Sequence, residues 1–350
     1  MHTVAVTRRR GPVAGPGRRG GLTIFGVDAA TLDVQLLAES WLATAPLFCL
    51  AQPDGLIYVT SDDDDGSTVL VCRFEANGVI RPLQRQPTFG TGASYLATAA
   101  HGRHLYVTNL NVRPDRPGKI VTSYDISAGG HLSRRETDFL PATWTGRGSM
   151  GHSVITVVGG LVLVADRGRD RLLVMRSHDD GAPLEALSVV DLPEGAGPRH
   201  MAASPDGSRV YVVNEADATL ASFLVDVSSG GLAATGVVKT TLAACRDRHK
   251  PADVVVSGCG RFVYVCNRGL NNIVAFAESG NAGLEGIAQI ASGGSGPRCL
   301  ALSSSGEHLF CVNEDADNVA IMSVDTSTGS IRDTKLRIFV TAPTWASVIS

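Results

Sequence analysis

Two histidines, two glutamates and several arginines stand at recurring places in this chain. Together they could move a proton on a small anion and hold that anion still. His152 is the leading acid–base candidate, because imidazole titrates near neutral pH. The competing reading is a histidine bonded to neighbouring backbone. Glu215 serves either as the partner base or as the ion-pair partner of Arg199 or Arg268. Arg199, Arg268 and Arg298 offer the planar fork that grips carboxylate or phosphate in two bonds, unless each is spent on a salt bridge between neighbouring units. His200 is assigned to the substrate-binding side, orienting the others. Glu314 repeats the place of Glu215.

These residues come in phrases that repeat. Gly197-Pro198-Arg199-His200 leads through Ser204-Pro205-Asp206-Gly207 to Val212-Val213-Asn214-Glu215. Gly296-Pro297-Arg298-Cys299 leads through Ser303-Ser304-Ser305-Gly306 to Cys311-Val312-Asn313-Glu314. In both, sixteen positions separate Arg from Glu. Weaker copies hold Asp253 with Cys266-Asn267-Arg268, and His152 with Val164-Ala165-Asp166-Arg167. The Asn or Asp closing each apolar run falls at 109, 166, 214, 267 and 313, at intervals of 57, 48, 53 and 46. The longest interval carries an insertion at 111–118. A period of about 40 to 50 residues marks a propeller or solenoid.

Each unit reads as four short strands. A Pro-Asp-Gly type turn ends the first, and the second is nearly all apolar, as a strand buried on both faces should be. No sustained helical period competes. Six units fit between Pro46 and Val340. Thr344 to Val348 at one end joins Val4 to Val6, Leu22 to Phe25 and Val34 to Leu37 at the other, making a seventh. The expected fold is therefore all-β, a single seven-bladed propeller over 1–350, with four antiparallel strands per blade and the last blade closed by both termini. Closure of this kind removes exposed sheet edges. The expected blades are 45–90, 92–140, 146–193, 195–242, 247–291, 294–340, and 341–350 with 1–39. The first-strand starts then line up as Phe48, Tyr95, His152, His200, Asp253 and Cys299. The residues after the closing Asn or Asp line up as Leu110, Arg167, Glu215, Arg268 and Glu314. Equivalent positions ring one end of the axis. His152, Arg199, Glu215 and Arg268 should therefore share a pocket, with Arg298 at its rim.

Composition narrows the rest. Hydrophobic residues are 44% and charged residues 19%, which suits a core-forming chain. A net charge of −3 lacks the basic excess that drives nucleic-acid binding. No apolar run reaches a membrane span, and the 8–10 arginine run has no apolar stretch behind it. The seven cysteines make no C-x-x-C, so they read as thiols of a cytoplasmic protein. Asp62 to Asp65 reads as a solvated turn rather than a calcium loop. His101, His104 and His131 lack zinc spacing, and no G-x-S-x-G elbow occurs. Neither cofactor nor metal is expected. The expected partner is a small anionic substrate, and the expected state a monomer or weak homo-oligomer.

The phrases Gly151-His152-Ser153-Val154, Gly197-Pro198-Arg199-His200, Val213-Asn214-Glu215, Cys266-Asn267-Arg268-Gly269 and Gly296-Pro297-Arg298 resemble the seven-bladed propeller lactonase family. That family includes 6-phosphogluconolactonases of propeller type and 3-carboxy-cis,cis-muconate lactonizing enzymes. The resemblance implies that a His, a Glu and several Arg in the central mouth act on the substrate. His152 matches the His, Arg199 and Glu215 match the fourth-blade Arg and Glu, and Arg268 matches the fifth-blade Arg. Gly151 stands where family members often carry Pro. The implied activity is metal-independent opening or closing of a lactone. A cyclase or isomerase using the same mouth, and a non-catalytic binding scaffold, are the other readings. With only 5% aromatic residues and charges gathered at axial positions, an enzyme is favoured over a scaffold.

Overall fold

The computed structural model describes residues 1–9, 20–43, 45–63, 66–99, 101–111, 118–135, 148–178, 182–242, 249–280 and 283–349. Cys245, residues 112–117 of the insertion and the last two residues of the 62–65 turn lie outside them.

Seven four-stranded antiparallel sheets form among the described residues, one per repeat. Blade 1 holds β4 (Pro46–Ala51), β5 (Leu56–Asp63), β6 (Gly66–Phe74) and β7 (Ile80–Pro87). Blade 2 holds β8 (Ala93–Thr98), β9 (His104–Asn109), β10 (Val121–Ile126) and β11 (Leu132–Arg134). Blade 3 holds β12 (Gly151–Val157), β13 (Leu161–Asp166), β14 (Arg171–Arg176) and β15 (Glu185–Asp191). Blade 4 holds β16 (Pro198–Ala203), β17 (Arg209–Asn214), β18 (Thr219–Asp226) and β19 (Gly231–Lys239). Blade 5 holds β20 (Lys250–Val256), β21 (Phe262–Arg268), β22 (Asn272–Glu278) and β23 (Leu284–Ala291). Blade 6 holds β24 (Pro297–Leu302), β25 (His308–Asn313), β26 (Asn318–Val324) and β27 (Ile331–Phe339).

Blade 7 combines β1 (His2–Arg8), β2 (Gly20–Val27) and β3 (Val34–Ala43) with β28 (Pro343–Val348) in the order β28-β1-β2-β3. The C-terminal strand is thus the innermost strand of the last blade. It packs on β24 of blade 6 and β4 of blade 1, which closes the circle.

Burial follows the layers. Every residue of β9, β13 and β25 is buried, whereas β15 is exposed or half-buried along its length. The apolar second strands lie between neighbouring blades and need no polar face. The outer strands meet solvent and carry the alternation.

Candidate active site

The inner strands all begin with the same irregularity, and it decides which side chains face each other. Each pairs near the end of its second strand, shifts register by a bulge and then resumes regular pairing. Pro198 pairs with Asn214, for example, and regular pairing resumes at Met201 with Val212. The backbone repeats this register, since Glu215 N–H donates to Gly197 O, Glu314 N–H to Gly296 O and Arg167 N–H to Met150 O. Gly197 and Gly296 take φ of +64° and +66° to make the turn, a region that glycine enters without strain. A Cβ on Gly197 would lie 2.9 Å from that of Ala216.

This register corrects one alignment. Gly151 pairs with Asp166 as Pro198 does with Asn214, so His152 is equivalent to Arg199 and Arg298, not to His200. Ser153 is the residue equivalent to His200. The proline before the bulge in blades 1, 4, 5, 6 and 7 (Pro46, Pro198, Pro251, Pro297, Pro343) carried that signal, and Gly151 takes its place in blade 3. Arg298 holds in blade 6 the register position that Arg199 holds in blade 4.

The charged groups gather around two carboxylates. Glu215 lies 3.0 Å from Arg268 Nη2, 3.2 Å from Arg167 Nε and 3.6 Å from Arg199 Nε. Glu314 lies 3.0 Å from Arg298 Nη1 and 3.1 Å from Arg9 Nη1. The two hubs join blades 3 to 5 and blades 6 to 7. Burial alone would lift the Glu215 carboxyl, but the Arg199, Arg268 and Arg167 guanidiniums outweigh it and hold the group below its ordinary range. Its carboxylate therefore stays ionised.

The closing Asn and Asp residues aim these groups. Asp166 takes the Met150 N–H at 2.8 Å and Arg171 Nε at 3.0 Å. Asn214 Nδ2 donates to Thr219 Oγ1, and Asn313 Nδ2 to Asn318 Oδ1, both at 2.9 Å. Each fixes a turn from which Arg167, Glu215 or Glu314 projects.

His152 is half-buried, and among the described residues its Nδ1 makes no hydrogen bond. Burial and the nearby Arg199, Arg167 and Arg298 hold its pKa well below the usual histidine value. It is a neutral imidazole with an uncommitted nitrogen. Its ring stands 5.2 Å from that of His200, edge on.

Beneath lies a deeper layer. His200 Nδ1 is 2.8 Å from Asp253 Oδ1, while Asp253 Oδ2 accepts the Leu300 N–H at 2.8 Å. Both side chains are almost wholly buried. Burial and the surrounding guanidiniums keep His200 neutral, and burial raises Asp253 to about 7. Tyr95 and Trp345 meet the His200 ring edge on at 5.0 and 5.5 Å, and Phe48 stacks at 4.1 Å from Tyr95 and 4.2 Å from Trp345. Three aromatic rings from blades 7, 1 and 2 floor the site, opposite the charged groups of blades 3 to 6.

All six candidates, His152, Glu215, Arg199, Arg268, Arg298 and His200, therefore lie around the same axial end. Sequence reasoning placed Arg167 and Asp253 in the axial ring without giving them a role, and did not place Arg9 or Trp345 there. Arg9 was hidden in a basic run, although it follows β1 as Glu215 follows β17. No group of three or more His, Cys, Asp or Glu suited to a metal ion occurs among the described residues. Nor is any helix there long and apolar enough to cross a membrane.

The sequence profile of a family described as "Lactonase, 7-bladed beta-propeller" matches residues 9–348. A 6-phosphogluconolactonase of Pectobacterium carotovorum is 26% identical over 334 residues, spanning 84% of this chain and 98% of its own. One from Formosa agariphila is 22% identical over 331 residues, spanning 89% and 90%. The solved periplasmic gluconolactonase of Pseudomonas aeruginosa superposes with a TM-score of 0.86, at 23% identity, over 100% of this chain and 99% of that one. At that identity the likeness is one of fold.

Proposed function

We propose, from the premise that this chain belongs to the seven-bladed β-propeller lactonase family, that it opens the lactone ring of a small anionic sugar acid at the axial site. One observation carries the reading: a neutral, uncommitted His152 stands among guanidiniums already aimed by Glu215 and Glu314. A water's oxygen attacks the lactone carbonyl carbon while His152 takes its proton. The oxyanion is stabilised by the arginine cluster. Collapse breaks the ring C–O bond, and His152 returns the proton to the leaving oxygen. The net change is addition of one water, and the new carboxylic acid then releases its proton to solvent, leaving a carboxylate among the arginines.

Arg199, Arg268 and Arg298 bind the anion, and Arg167 joins them. Glu215 was expected either as the partner base or as an ion-pair partner of Arg199 or Arg268. Its ionised state among three guanidiniums favours an aiming role, because taking a proton would mean giving up those pairs. The same residues run the reverse, ring-closing direction, so the cyclase reading shares this site. A cytoplasmic location is part of the proposal, with cell fractionation as its check.

A panel of sugar-phosphate lactones, aldonolactones and muconolactones tests the activity, and turnover of at least one is expected. Chelator treatment is expected to leave that activity intact. Failure of the whole panel would favour a binding scaffold.

The pH profile carries a signed expectation. The base must be neutral, and its pKa in the free protein is lowered, so kcat/KM should hold well below pH 6.5 before falling. A bound anion offsets the guanidinium charge and raises the imidazole pKa. The acid limb of kcat should therefore lie at higher pH than that of kcat/KM. Coincident limbs near the ordinary histidine value would remove His152 from the role.

A further inference from the structure

The His200–Asp253 pair is not needed to open a ring, yet it is among the most deeply buried polar groups of the chain. Its contacts run towards Arg199. Arg199 Nη1 is 3.2 Å from His200 Nδ1 and 3.1 Å from Nε2. Near-equal distances to both nitrogens place the cation over the face of the imidazole, not on either lone pair. The same nitrogen donates to Ala252 O, the backbone beside Asp253 in the next blade. Arg199 Nε meanwhile turns to Glu215.

This arrangement occurs a second time in the chain, away from the axis. Arg135 Nη1 is 3.3 Å from both ring nitrogens of His104, and here it also bonds the aspartate directly, at 2.8 Å from Asp125 Oδ1. His104 Nδ1 is 3.0 Å from Asp125 Oδ1, and Arg135 Nη2 donates to Ala182 O in the next blade. An aspartate anchors a histidine, the ring face carries a guanidinium, and the guanidinium is tied to the following blade. In both places the trio holds one arginine in one pose.

We propose that Asp253 is a positioning residue of the active site, which acts through His200 to hold Arg199 in its anion-binding pose. Asp253 Oδ1 is hydrogen-bonded to His200 Nδ1 and Oδ2 accepts the Leu300 N–H, so the imidazole is held in one orientation. The fixed ring is the platform on which the guanidinium rests. Arg199 is buried and also tied to Ala252 O and Glu215, and the ring adds the restraint that fixes the plane of its guanidinium, an ordering cost met before the anion arrives. The inference rests on the reading that Arg199 binds the substrate's anionic group.

Binding of inorganic phosphate to the full-length protein, measured by calorimetry, tests this without turnover. A chain that opens no lactone thus sinks the lactonase reading and leaves this test intact. Asp253→Asn is expected to weaken phosphate binding roughly tenfold, within the range for residues sharing a partner. In an Arg199→Ala background the same change should cost less than about twofold, because nothing remains to be positioned. A purely electrostatic Asp253 has the opposite sign: removing a carboxylate beside an anion site tightens binding. Tighter binding, or an equal loss in both backgrounds, overturns the proposal, as does a wild-type protein that binds no phosphate. If Asp253→Asn does not fold, His200→Gln carries the same cycle. Nitrogen-15 spectra of His200 should also show the Nδ1–H tautomer in the wild type and its loss in Asp253→Asn.

Discussion

Deletion of residues 341–350 should abolish the cooperative unfolding transition, leaving a protein that is insoluble or melts broadly. The reason is the place of β28. Although last in the chain, it is the innermost strand of blade 7 and touches blades 6 and 1. Thr344 is wholly buried and bonds Thr7 Oγ1 at 2.9 Å and Pro46 O at 3.2 Å. Trp345 is packed against Phe48, Tyr95 and His200. Truncating one such aromatic costs about 3–5 kcal/mol. Whole domains are stable by only about 5–15 kcal/mol. Loss of the strand also exposes the inner edges of β1 and of the neighbouring blades, which invites association. Trp345→Ala is the milder companion and should lower the melting temperature while keeping one transition. Thermal unfolding followed by circular dichroism reads both. A truncated protein melting within a few degrees of the full chain would show that closure is not what holds the ring.

His152→Ala should lower kcat by roughly 10²–10⁴, the usual contribution of a positioned acid–base group. KM should change far less, because the arginines that hold the anion remain paired with Glu215 and Glu314. The melting temperature should hold as well, since His152 is half-buried and its Nδ1 makes no hydrogen bond among the described residues. The effect therefore separates chemistry from folding. Steady-state kinetics on whichever lactone of the panel reacts provides the measurement, with the uncatalysed rate subtracted. Full activity in the variant would transfer the proton step to another group.

The architecture was legible in the sequence because it repeats. Turn residues such as Ser204-Pro205-Asp206-Gly207, followed by an apolar strand and a closing Asn, are local signals, and seven imperfect copies reinforce one another. The closing of the last blade could be read as well, since the leftover strands at the two ends add up to one unit. The same periodicity brought His152, Arg199, Glu215, Arg268 and Arg298 to one end of the axis, because equivalent positions in a propeller converge.

Finer placement belonged to tertiary structure. A one-residue bulge shifts every side chain after it, and the alternation of a strand then sends it to the other face. Aligned by type, His152 fell beside His200; backbone pairing sets it beside Arg199 and Arg298 instead. Contacts between blades were equally out of reach. Arg268 could be named only as one of two alternative partners of Glu215, and nothing in the order of residues indicates that Arg167 joins them or that Arg9 crosses from the first strand to Glu314. Protonation depends on the same step. The sequence supplied a histidine that titrates near neutrality, whereas burial among guanidiniums makes it a neutral base. Residue types repeat along the chain and can be read from it; desolvation and charge pairing arise only once seven blades bring them within a few ångströms.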